Sequence, residues 1–184
     1  MSISRNLKTI TVAAALALAA PALANTVMVG GQAMYPNKNI VQNAANSADH
    51  TTLVAAVKAA GLVDTLQGRG PFTVFAPVNA AFAALPAGTV DTLLKPENKP
   101  QLSNVLTYHV VAERVTYNDL ARRVKDGGGQ AMLKTASGGT LVAMMNGPSN
   151  IAIKDSKGGV ANITIYDVIQ SNGVIHSIDK VLLP

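Results

Sequence analysis

The 184-residue sequence has no cysteine, no tryptophan and little aromatic character, 4% in all. Without cysteine there are no disulfides, no thiolate metal ligands and no N-terminal attachment point for a lipid anchor. Stability must come from a packed core, which a chain with 48% hydrophobic residues can build. Acidic chemistry is also sparse. Glu97 and Glu113 are the only glutamates, and the ten acidic residues are dispersed, so no catalytic carboxylate pair can be nominated. The net charge of +5 lacks the concentrated basic face that marks nucleic-acid binding. Phe72, Phe75 and Phe82 crowd one stretch and read as core, which leaves no aromatic platform for stacking bases or sugars.

The common enzyme motifs are missing as well. There is no G-x-S-x-G elbow, no phosphate loop and no H-E-x-x-H pair. His50, His109 and His176 are isolated and lack short metal-ligand spacing. Asp155-Ser156-Lys157-Gly158 begins like a calcium loop, but Lys157 stands where an oxygen ligand is needed. No catalysis, metal or cofactor is therefore expected.

What is present begins with an address. Arg5 and Lys8 precede the apolar run Thr9–Ala20, and Pro21-Ala22-Leu23-Ala24 offers small residues for a cut before Asn25. This pattern reads as a cleaved secretory signal over residues 1–24 and implies a periplasmic or extracellular protein. The run is too short for a bilayer span of about 20 residues, and no later segment approaches that length. Residues 25–39 read as an irregular leader, and residues 40–184 as a single domain.

Helical spacing dominates the first half. Leu53, Val54, Val57 and Ala60 share a face, and Gly61 suits the left-handed stop that follows. Phe72–Ala76 reads as a strand that Pro77 ends, and Asn79 is placed to cap a helix over Ala80–Leu85. Leu102, Val105, Leu106 and His109 form the stripe of a further helix. Beyond it, strands are expected at Val110–Val115, Gln130–Thr135, Thr140–Met145, Asn150–Lys154, Val160–Ile169 and Gly173–Leu183, with a short helix at Tyr117–Val124. Helices followed by hairpins make the fold class α+β.

Two placements are chemically odd. Strict alternation through Ile163, Ile165, Asp167 and Ile169 points Asp167 at the apolar face, where an unpaired carboxylate is costly. Either a bulge turns it outward or a buried partner satisfies it. His109 extends an apolar stripe and reads as a core histidine bonded to backbone, with Tyr108 facing solvent. Arg122, Arg123 and Lys125 form a small basic cluster, either a solvated flank or a contact for anionic polysaccharide.

Three ordered motifs then carry a family resemblance. Gly70-Pro71-Phe72-Thr73-Val74-Phe75-Ala76-Pro77-Val78-Asn79-Ala80-Ala81-Phe82 resembles the first signature box of fasciclin-like domains. Asn172-Gly173-Val174-Ile175-His176-Ser177-Ile178-Asp179-Lys180-Val181-Leu182-Leu183-Pro184 resembles the second, and Tyr108-His109 matches the Tyr-His motif between them. Val78 and Ala80 depart from the usual Thr or Ser and acidic residue. The resemblance implies a wedge: a β-sandwich-like sheet of about seven strands with helices along one edge. Phe75, Pro77, Asn79, Phe82, His176 and Asp179 would be its structural motif residues, with Asp179 tying the last strand to the first box. It also implies non-catalytic adhesion or interaction with a cell-surface or matrix protein or glycan. The residues matching the family's adhesive motifs are Asp167, Val168, Tyr108 and His109. The alternative is a small-ligand or acidic-polysaccharide-binding envelope protein that uses the basic cluster.

Overall fold

Gly30 and Gly31 both take positive φ, +58° and +73°, which suits a two-residue hairpin turn. They join β1 (Val27–Val29) to β2 (Gln32–Met34) in the computed structural model, which describes residues 26–184. This corrects the irregular leader expected over residues 25–39. Burial of Val29 and Met34 in a shared apolar cluster holds the hairpin down. The signal expected over residues 1–24 lies outside the described residues.

Helix α1 (Ile40–Asn46) starts with a reciprocal cap between Asn39 and Gln42. A 3-10 turn (Ala48–His50) leads into α2 (Thr51–Ala60), which Gly61 closes at φ +73° before α3 (Val63–Gln67). Strand β3 (Phe72–Pro77), helices α4 (Asn79–Ala83), α5 (Thr89–Leu93) and α6 (Lys99–Tyr108), and β4 (Val110–Val111) follow. β4 is shorter than the expected Val110–Val115 because the Thr73 hydroxyl captures the chain beyond it. That hydroxyl donates to the Glu113 carbonyl at 2.6 Å and accepts from the Val115 N–H at 2.8 Å. Next come α7 (Tyr117–Asp126), β5 (Gln130–Lys134), β6 (Thr140–Met145), β7 (Ile151–Lys154), β8 (Val160–Gln170) and β9 (Gly173–Ile178). The last strand thus stops at Ile178, short of Leu183.

Seven strands form one mixed sheet in the order β4-β3-β9-β8-β7-β6-β5, parallel only between β3 and β9. Its edges meet at a bridge between Val111 and Thr135, and the Ala136 N–H donates to the Val110 carbonyl at 2.7 Å. The sheet is therefore a near-barrel with helices packed on it, in agreement with the α+β wedge. Strand alternation divides the apolar residues into two clusters. Phe75, Leu120, Leu133, Ile153 and Ile178 fill the barrel, which α7 covers. Val74, Ala76, Val168 and Ile175 face the other way and meet Ile40, Leu53, Val57 and Leu106 of the helices. Phe82 is half-buried against this second cluster, and Pro77 ends β3 opposite Ile178.

Asn79 requires a correction. Val78, not Asn79, stands at the N-cap of α4. The Asn79 side-chain oxygen accepts from the Thr52 N–H at 3.0 Å and the Thr51 hydroxyl at 3.2 Å, and its amide donates to the Ala48 carbonyl at 2.9 Å. It caps α2 across the fold, because α2 has no side-chain cap of its own.

Candidate functional site

Strand β8 slips register against β9 twice, between Ile163 and Ile165 and again between Ile165 and Val168. These slips undo the alternation that would point Asp167 inward. Asp167 takes φ +52°, the one positive φ of a non-glycine residue among those described. Its Oδ1 accepts from the Tyr117 N–H at 2.7 Å, at the first turn of α7, where the helix dipole favours negative charge. The bulge and the partner, posed as alternatives, occur together, and the residue stays half-buried.

A rigid frame supports this bulge. The Asp167 N–H donates to Nδ1 of His176 at 3.3 Å, and Nε2 of His176 donates to the Val115 carbonyl at 2.8 Å. Burial pushes the His176 pKa below its ordinary value, and the Val115 carbonyl and the Asp167 charge oppose that shift without overcoming it. The His176 ring stacks on Phe75 at 5.7 Å, and the Tyr166 ring meets it edge-on at 6.2 Å. Tyr117 and Tyr166 form a T-shaped pair at 4.8 Å. The Tyr117 hydroxyl donates to the Ser149 carbonyl, and the Tyr166 hydroxyl donates to the Asn150 side chain. Sequence reasoning missed both tyrosines. Their signal was slight: one is the neighbour of Asp167 and the other opens a short amphipathic helix.

Tyr108 is only 1% exposed, which overturns its expected solvent orientation. Its hydroxyl donates to the Thr140 carbonyl at 2.9 Å and accepts from the Ser156 N–H at 3.0 Å, so the polar tip is satisfied inside the barrel wall. His109 is a buried neutral histidine. Its Nδ1 donates to the Val105 carbonyl at 2.8 Å and its Nε2 accepts from the Leu182 N–H at 2.9 Å. Burial lowers its pKa to about 4. Val168 is also buried. Of the four residues matched to adhesive motifs, only Asp167 reaches the surface, and no hydrogen bond joins the two pairs among the described residues.

The basic cluster is largely neutralised. Arg123 grips Glu113 with two bonds of 2.7 and 2.8 Å, which holds the Glu113 carboxyl below its usual range. Arg122 pairs with Asp119 at 2.7 Å, and Lys125 is exposed. Asp179 differs from its expected role. It accepts from the Asn162 backbone N–H at 2.7 Å and side-chain amide at 2.9 Å, so it binds β8 and not the first box. The first box is tied to β9 by backbone instead, from the Val78 N–H to the Ile178 carbonyl at 3.2 Å.

Comparison with known proteins agrees with this geometry. The family described as Fasciclin domain matches residues 48–184. Protein sll1483 of Synechocystis sp. is 49% identical over 148 residues, covering 79% of this chain and 73% of that protein. Immunogenic protein MPB70 of Mycobacterium bovis is 32% identical over 191 residues, covering 94% and 90% respectively. The FAS1 domain pair of the insect cell adhesion molecule fasciclin I superposes with a TM-score of 0.71 at 20% identity. It covers 81% of this chain, which spans about half of that pair, 52%. The family match over most of the chain and the two sequence relatives share one outcome: the chain belongs to the fasciclin domain family.

Proposed function

We propose that the protein is exported and acts without catalysis, as an interaction module that binds a protein or glycan at the cell envelope or matrix through the surface around Asp167. The observation that carries this is the backbone of Asp167. A left-handed conformation in a non-glycine residue costs free energy, and such strain persists where surrounding structure enforces it, often at recognition sites. Here the frame of His176, Tyr166 and Tyr117 enforces it and leaves the carboxylate half-exposed. Family membership favours the reading, and the fold neighbour is itself a cell adhesion molecule. The polysaccharide alternative is weaker, because Glu113 and Asp119 offset two of its three cations.

Asp167→Asn is the informative variant. Asparagine tolerates the left-handed backbone and keeps an oxygen for the Tyr117 N–H, so it removes the charge alone. In pull-downs from envelope fractions, partner recovery should fall roughly tenfold, the equivalent of about 1.4 kcal/mol, while the melting temperature stays near that of the wild type. Equal recovery would move the contact surface away from Asp167.

A further inference from the structure

Between β3, β9 and the helices α1–α3 and α6, the side chains leave an apolar cavity of about 90 Å³. Ala44, Leu53, Val57, Val74, Val168 and Ile175 are among its walls. His50 and His109 also line it, yet their ring nitrogens are engaged elsewhere. His50 meets the Ser47 hydroxyl at 2.9 Å and the Ser177 hydroxyl at 3.3 Å, and His109 meets Val105 and Leu182. A water inside would lack the two to four polar partners it needs, so the space suits hydrocarbon. A cavity of about 150 Å³ holds a benzene ring, so this one seats roughly four carbons.

One charged side chain stands among the lining residues: Lys58, exposed on α2. No carboxylate lines the cavity, and neither ion pair among the described residues involves Lys58. We propose that this cavity binds the terminal carbons of a single aliphatic chain that carries an anionic head group, with the head on the Lys58 ammonium. The volume excludes two chains or a fused ring system, and the lone cation selects the sign of the head. A medium-chain carboxylate and one acyl chain of an anionic lipid share this chemistry. The site is independent of the Asp167 surface and stands whether or not that surface binds a partner.

The test is a methyl-resolved NMR titration of the secreted protein with octanoate, octanol and a single-chain phosphatidylglycerol below its micelle concentration. Octanoate should shift the methyl signals of Val57, Val74 and Ile175 saturably, and octanol should shift the same set. Lys58→Gln should weaken octanoate about threefold and leave octanol unchanged. Ala44→Leu fills the cavity and should abolish both responses while the melting temperature holds or rises. If that variant does not fold, Val63→Phe, whose side chain is larger by four carbons, serves the same purpose from another wall. Tighter binding of the phosphatidylglycerol would assign a lipid source, and tighter binding of octanoate a free carboxylate. Unmoved core methyls, or shifts that survive in the filled variants, would overturn the cavity assignment. Equal weakening of octanol and octanoate in Lys58→Gln would overturn the head-group assignment.

Discussion

The side chain of Asn79 satisfies three groups at once, the Thr51 hydroxyl, the Thr52 N–H and the Ala48 carbonyl. It belongs to α4 but stabilises the start of α2, so its loss reaches an element far along the chain. Asn79→Ala should cost about 1–2 kcal/mol and lower the melting temperature by about 5 °C. Asn79→Asp keeps the acceptor and loses the donor to Ala48, so it should fall between the two. A thermal melt of the three proteins checks this, and an unchanged midpoint in the alanine variant would show that the cap carries no weight. The capping chemistry of Asn79 was legible from residue type, whereas its partner was not, because Thr52 lies 27 positions away. Tyr108 and His109 show the same limit. The apolar stripe of α6 placed His109 in the interior, but nothing local disclosed that Thr140 and Ser156 would satisfy a buried Tyr108 hydroxyl.

Helix α7 illustrates what an element adds to its residues. Leu120 and Val124 face the barrel and its polar residues face water, so the amphipathic pattern alone marks it as a surface helix. Its start is over-determined. The Thr116 hydroxyl and the Asp119 carboxylate form a capping box, and Asp167 reaches the Tyr117 N–H from a different element. Thr116→Ala should therefore cost about 1 kcal/mol, and the pair Thr116→Ala with Asp167→Ala should cost more than the two single changes summed. Denaturant midpoints of a double-mutant cycle measure that coupling, and strict additivity would mean that the two caps act separately. Periodicity and glycine turns made most helices and hairpins legible, with errors at their ends. β4 is shorter than its apolar run because a Thr73 hydroxyl in another strand takes the place of a ladder. The bulge at Asp167 was visible only as a broken alternation, since its cause is the register of β9 and the N-terminus of α7.

At the scale of the whole molecule, three buried histidines hold three junctions. His50 joins the turn before α2 to β9 through Ser47 and Ser177. His109 joins α6 to the C-terminal segment at Leu182, and His176 joins β9 to the loop before α7 and to the Asp167 bulge. All three pKa values lie below the ordinary imidazole value, with burial as the largest cause, and that of His109 is about 4. An unfolded chain titrates near 6.5, so between pH 6.5 and 4 it binds more protons than the folded state. Stability is then fully present above pH 6.5 and is lost as the pH falls. His109 alone should remove about 3 kcal/mol by pH 4, with His50 and His176 adding in the same direction. The depressed pKa values of Glu113 and Asp119 belong to partly exposed groups, and the small stabilisation they give begins to be lost only at the acid end of this window. Urea midpoints measured from pH 7.5 to 4 should decline from just below 6.5. His109→Gln should lower stability at pH 7 and flatten the slope below pH 6.5. A wild-type midpoint that stays level to pH 4 would mean that the interior accepts charged imidazoles without cost, and the three junctions would then be held by packing alone.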